Sequence, residues 1–171
     1  GWNSSAGNTV TSDVHGHGTA TAGSATALAN NGTGVASVSW NTKLMPVRVT
    51  DDPTGYAYTS AIASGLTWAA DHGARVANIS YVGVAASSTV KSAAQYMRSK
   101  GGVVVVAAGN SGVQESYAAN PYLTVASATE GAGVGDLELR VVVAPPAALL
   151  EEPVVGIVLE RVLVERFHVG V

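Results

Sequence analysis

The chain has 171 residues, the length of one ordinary domain, and 47% of it is hydrophobic, which permits a sizeable core. Only 12% is charged and the formal net charge is −3, with no basic cluster or interleaved Arg and aromatic residues, so nothing suggests a nucleic acid as partner. Cysteine is absent, which excludes disulfides and thiolate chemistry, and the longest apolar run, "VVVAPPAALL" at 141–150, is too short for a bilayer.

The predicted elements alternate along the first 130 residues. "GTATAGSATALA" (18–29) is rich in alanine, has small residues on every face and stops at the turn-like "NNGTG", which predicts a helix. "KLMPVRV" (43–49) is a short apolar run suited to a buried strand, with Pro46 the odd element. "TSAIASGLTWAADHGA" (59–74) places Ile62, Leu66, Ala69 and Ala70 at helical spacing, with a Thr/Ser start and Gly73 as a stop. "RVANISY" (75–81) follows as a strand. "SSTVKSAAQYMRSKGG" (87–102) has Val90, Ala94 and Met97 on one face and a glycine pair at its end. "VVVVAAGN" (103–110) is a β-branched run of the kind covered on both faces in a parallel sheet, and "LTVASAT" (123–129) reads as another strand. This alternation predicts an α/β domain, three layers αβα with a mostly parallel open sheet.

The composition changes after Thr129. Residues 131–171 lack Ser, Thr, Asn, Gln, Lys, Tyr and Trp altogether, and valine supplies 11 of the 41. The chain therefore divides into 1–130 and a Val-rich tail at 131–171. An appended segment of other origin, a frame-shifted translation and an engineered tail each account for the missing residue types; a pair of terminal strands accounts only for the hydrophobicity. Within the tail, "LELRVVV" suits a strand, and "VVGIVLERVLVERF" suits either a strand or an amphipathic helix.

Two short motifs carry chemistry. "GHGT" (16–19) puts His17 at the first turn of a helix, whose N-terminus disfavours the imidazolium and so suits a base that must start neutral. "HGH" could clip a metal through His15 and His17, but no third ligand lies nearby, so no metal or cofactor is expected. "AAGN" (107–110) ends the predicted "VVVV" strand, where open α/β sheets place their sites, and the Asn110 amide there could donate to a developing oxyanion. Read alone, either motif is equally a turn.

Taken together, "DVHGHGTATAG", "NNGTGVASV", "GLTWAADHGARVANIS", "GGVVVVAAGN" and "YAANPYLTVASAT" resemble the subtilisin-like serine proteases, in the right order over residues 13–129. The family separates its histidine from its oxyanion asparagine by about 91 residues; His17 and Asn110 lie 93 positions apart. The resemblance implies a partial subtilisin-like fold, His17 as general base and Asn110 as oxyanion donor. It implies that a polypeptide substrate or peptide ligand lies along Ser80, Tyr81 and Val82, with Ala107, Ala108 and Gly109 forming the other wall. It also implies a secreted protein, although no leader-like stretch opens this chain. Val82 departs from the pattern, because the family usually has glycine there; a β-branched residue would crowd the pocket or shift its register.

The other triad members do not appear. The family's aspartate precedes its histidine by about 32 residues and its serine follows the oxyanion asparagine by about 66. Only 16 residues precede His17, and no serine follows Ser127. Asp13 and Ser111, or Ser80, are the local residues that could substitute; as structural groups, Asp13 is a loop carboxylate and Ser111 a turn residue. His72 and His168 read as surface residues. Three functions stay open: a subtilase-derived endopeptidase domain, truncated at both ends and weakly active or inactive; a reorganised serine hydrolase using His17; and a non-catalytic peptide-binding module. Truncation would expose apolar faces, which the tail or a homo-oligomer would cover.

Overall fold

The computed structural model describes residues 1–111, 120–130, 137–140 and 155–159. Its elements are β1 (Trp2–Asn3), α1 (His17–Thr26), β2 (Val47–Arg48), α2 (Thr59–Asp71), β3 (Val76–Ile79), α3 (Ser88–Ser99), β4 (Val103–Ala107), β5 (Thr124–Glu130), β6 (Leu137–Arg140) and β7 (Val155–Leu159). A five-stranded sheet has the order β6-β5-β4-β3-β7, and β1 pairs with β2 in a second, two-stranded sheet. Every pairing is parallel except β5 with β6. The fold is therefore α/β with a mostly parallel open sheet.

Local chemistry sets the helix ends. The Ser87 hydroxyl accepts from the Val90 amide and caps α3. Both α2 and α3 close in a Schellman motif: Ala74 N–H reaches Ala69 O at 3.0 Å, and Gly102 N–H reaches Met97 O at 3.0 Å. The Thr/Ser start of α2 lies inside its first turn, because Tyr58, without a side-chain cap, is the flanking residue. α1 stops at Thr26 rather than 29; Ala27 turns extended and Leu28 is exposed, so no apolar contact carries the helix further. In the stretch 43–49 only Val47 and Arg48 join a ladder. Pro46 has no N–H to offer, and its carbonyl instead accepts from Trp2 N–H at 3.1 Å.

The core forms where α2 meets α3 over the strands. Ile62, Leu66 and Ala69 from α2 and Val90, Ala94 and Met97 from α3 are buried with Ala77, Ile79, Val104 and Val106. β4 was expected to be covered on both faces. Val104 and Val106 are indeed buried, but Val103, Val105 and Ala107 are only half-buried. The second face of the sheet is thus only partly covered by the described residues, and α1 has no fully buried residue.

In the tail, 155–159 is a strand, and 137–140 adds antiparallel to β5. The rest of the predicted tail elements, with His168, lies outside the described residues.

Candidate functional site

β3 and β4 are parallel neighbours in continuous register from Val76 opposite Val103 to Ile79 opposite Val106. The segments that follow them therefore leave the same edge of the sheet side by side. The first carries Ser80, Tyr81 and Val82. Ser80 is buried and its Oγ accepts from Asn78 Nδ2 at 2.8 Å. Tyr81 is buried, and its hydroxyl donates to Gly55 O at 2.9 Å, which ties the 52–55 turn to the strand end. That turn is fixed in its own right. Asp52 accepts from the Thr54 amide and hydroxyl, both at 2.8 Å, and the amide bond first of all holds its carboxyl below the usual range. Val82 is half-exposed and faces the second segment.

That second segment is Ala107, Ala108 and Gly109. Ala108 N–H bonds Ala126 O at 2.8 Å, extending the β4–β5 pairing past the end of β4. Gly109 has φ 102°, and a Cβ built on it would stand 3.1 Å from Val82 Cγ1. The Val82 side chain thus lies against the Gly109 backbone, between the two segments. Asn110 and Ser111 follow at once, both exposed.

The histidine loop is built around one carboxylate. Asp13 Oδ1 accepts from the amides of His15 (2.9 Å) and Gly16 (2.7 Å), and Oδ2 accepts from the Thr19 amide (2.8 Å) and hydroxyl (2.6 Å). Asp13 thereby caps the first turn of α1 from outside the helix, where a negative charge also complements the helix dipole. His17 is the first residue of α1 and half-buried; its ring centroid lies 6.4 Å from that of His15.

A polar chain anchors this loop to the small sheet. The buried Asn3 donates through Nδ2 to Asp51 at 2.9 Å, and Asp51 also pairs with Arg48 at 2.5 Å. Arg48 donates to Ser12 O at 2.8 Å and to Thr50 O at 2.9 Å. Its partners range from two to 36 positions away, so no local pattern in the sequence announced this support for the His17 loop. A cavity of ≈ 200 Å³ lies beneath the loop, lined among others by Thr11, Asp13, Ala22, Leu44 and Arg48. Neither Val82 nor Gly109 lines it. Among the described residues no group of three His, Asp or Glu could hold a metal ion, and no helix is long and apolar enough to cross a membrane.

The structure therefore places the candidate residues in two groups. Ser80, Tyr81 and Val82 adjoin Ala107, Ala108 and Gly109, with Asn110 next in the chain; Asp13, His15 and His17 cluster at the start of α1. α1 packs against β7, the strand beside β3, so the elements of the two groups meet around β3.

Compared with known proteins, residues 1–145 match the model of the peptidase S8 subtilase family. The chain belongs to the subtilase family. It is 40% identical over 112 residues to thermitase of Thermoactinomyces vulgaris, covering 66% of this chain and 40% of that protein. With subtilisin Savinase of Lederbergia lenta it is 42% identical over 102 residues, 60% of this chain and 37% of the relative. Among solved structures, an S41 psychrophilic protease aligns with a TM-score of 0.56 and 28% identity, over 70% of this chain and 41% of the other. This subtilase chain thus spans two fifths or less of the length of the curated relatives it matches. Subtilisins and other proteases dominate those relatives, which agrees with the family read from the motifs.

Proposed function

We propose that this chain supplies the base and oxyanion parts of a subtilase endopeptidase site acting on polypeptides. In this reading His17 is the general base and Asn110 donates to the oxyanion of the tetrahedral intermediate. An extended peptide adds along Ser80, Tyr81 and Val82, and the residue before the scissile bond enters the groove walled by Ala107, Ala108 and Gly109. The observation that supports it most directly is the adjacent exit of these two segments from neighbouring parallel strands, with Asn110 at the end of one. Neither the family serine nor its aspartate occurs at the family spacing, so hydrolysis by this chain alone is slow: removal of the serine in such a site costs about 2 × 10⁶ in kcat.

Residues of a triad act as a unit, and losses within it do not add. If no serine serves as nucleophile, His17→Ala changes the residual hydrolysis of a fluorogenic peptide little. Asn110→Ala, by contrast, lowers it by about 10²–10³, the value of an oxyanion donor. A fluorophosphonate probe then labels no serine. Labelling of Ser111 or Ser80 that disappears in His17→Ala would replace this reading with the reorganised serine hydrolase. Peptide binding unaffected by either substitution, with no turnover at all, would leave a binding module.

A further inference from the structure

The loop that leaves α1 holds the one asparagine of the sequence that precedes a glycine, Asn31 before Gly32. Asn30, Gly32 and Gly34 all have left-handed backbone, with φ of 59°, 68° and 70°, and residues 30–36 are exposed throughout. The loop is anchored only at its ends. The buried Ser37 hydroxyl lies 2.7 Å from Ala27 O and 2.8 Å from Ser39 O, and Val38 N–H bonds Ser24 O at 3.1 Å, which ties the far end back to α1.

Three features of this turn converge on the Asn31 side-chain carbon Cγ. Asn31 Oδ1 accepts from the Thr33 amide at 3.1 Å, which polarises the carbonyl and would stabilise negative charge developing on that oxygen. The Gly32 amide, next in the chain, donates to none of the described residues, so no hydrogen bond holds it away from Cγ. Gly32 also lacks a side chain, and a Cβ built there would meet nothing within 4 Å, so the space around its nitrogen is open. Other asparagines lack one or more of these. Asn8 forms the same turn, its Oδ1 accepting from the Val10 amide at 2.9 Å, but the β-branched Thr9 follows it. Asn3 is buried, with its Nδ2 donating to Asp51, and Asn120 precedes Pro121, which has no N–H.

We propose that Asn31 is a site of spontaneous modification, at which the folded turn promotes ring closure and loss of ammonia. The Gly32 nitrogen gives up its proton to hydroxide and adds to Asn31 Cγ, forming a C–N bond and placing the charge on Oδ1. The Cγ–Nδ2 bond then breaks, and the leaving nitrogen takes a proton from water and departs as ammonia. Water opens the resulting cyclic imide at either carbonyl. One opening leaves an aspartate at position 31; the other leaves an isoaspartate, in which the main chain runs through the side chain and is one methylene longer. One water enters and one ammonia leaves, with no oxidant or reductant. The longer backbone lies between α1 and its anchor at Val38, so the isoaspartate form loosens the end of α1. The inference does not depend on the chain's hydrolysing any peptide.

The test follows the full chain by peptide mapping and mass spectrometry during incubation at mildly alkaline pH. Asn31 gains about 1 Da and the protein becomes one charge more negative than its formal −3, read by isoelectric focusing. Conversion is at least about tenfold faster at Asn31 than at Asn8, because Thr9 crowds the attacking amide where Gly32 leaves it open. Asn31→Ser abolishes the charge shift. Thr33→Pro, which removes the amide that donates to Oδ1, slows conversion without abolishing it. The same chain unfolded in urea converts no faster than the folded chain. In the isolated isoaspartate form, amide exchange speeds up at Ala27 and Val38, which bond Gly23 O and Ser24 O, and stays unchanged in α2. Faster conversion in urea than in the folded chain would overturn the proposal, since the fold would then protect Asn31. So would equal rates at Asn31 and Asn8, or a Thr33→Pro chain that converts like the parent. Exchange at Val38 that is alike in both forms would overturn the link to α1. If Thr33→Pro does not fold, the comparison in urea decides alone.

Discussion

At the scale of single residues, Val82 and Gly109 approach closely, and in the proposed reading they set the width of the substrate groove. Gly109 combines a positive φ with the close approach of Val82, so any side chain there meets both backbone strain and a clash. Gly109→Ala is expected to destabilise the chain by about 1–3 kcal/mol in urea unfolding. Adding Val82→Gly should recover only part of that, since it relieves the clash and leaves the φ. Val82→Gly alone should widen the groove and raise affinity for peptide inhibitors with a large residue before the scissile position about tenfold, read by competition binding. The gain is what one or two buried methylenes bring in a hydrophobic pocket; no change would place the pocket elsewhere. Asp13 is the other decisive residue. Asp13→Ala removes all four hydrogen bonds that organise the His17 loop and should cost about 0.5–2 kcal/mol, the usual worth of an N-terminal cap. Faster amide exchange at His15, Gly16 and Thr19 would distinguish loss of the cap from a general loss of stability.

At the scale of elements, α2 is the helix on which the others are arranged, and two contacts fix it. On the side of the small sheet, Gly65 lets it approach closely. A Cβ there would lie 2.7 Å from Val47 Cγ1 and 3.0 Å from Ser4 Oγ, so Gly65→Ala must push α2 away from β2. The expected cost is about 1–3 kcal/mol, the range for overpacking, seen as a lower denaturation midpoint with an unchanged m-value. On the other side, α2 and α3 are clasped at their C-terminal ends. Tyr96 donates to Asp71 at 2.6 Å, and Lys100 lies 3.4 Å from the same carboxylate. The Tyr96 hydrogen bond is the leading reason that Asp71 titrates below its ordinary 3.8, while Lys100 titrates above its ordinary 10.5 through its own interaction with the Tyr96 hydroxyl first and with Asp71 second. A depressed carboxylate stabilises the fold above its unfolded pKa and loses that contribution as pH falls through the folded value; the raised lysine contributes below its unfolded pKa and loses it as pH rises through the folded value. The clasp should therefore be constant near neutrality and weaken at both extremes. Asp71→Asn should lower the thermal midpoint slightly at pH 7, and less once the pH falls through the lowered pKa and the parent carboxyl is itself protonated. Both groups are exposed, so the effect is small and salt should reduce it. A midpoint difference that grew at pH 3 would contradict the clasp.

At the scale of the whole molecule, the core formed by the described residues is one-sided. Leu66, fully buried between α2 and the strands, should cost about 2–5 kcal/mol as Leu66→Ala by calorimetry or chemical unfolding, whereas substitutions on α1, which has no buried residue, should cost far less. This asymmetry explains how far the sequence could be read. α2, α3 and the strands beside them were legible because their apolar spacing and their Ser87, Gly73 and Gly101 ends are local signals, and because residues 103–106 are an uninterrupted β-branched run. Family membership was legible from five ordered motifs, including "GHGT" around His17 and "AAGN" ending at Asn110. Other features were not. The brevity of β2 depends on what pairs beside Pro46, and the half-buried face of β4 on what covers the sheet. Tyr81 with Gly55, and Arg48 with Ser12, join positions 26 and 36 residues apart, beyond the reach of any spacing rule. Val155–Leu159 suits a strand or a helix by sequence alone. In the structure it is a strand paired parallel with β3, a partner that lies about 80 residues away and that only the tertiary structure supplies.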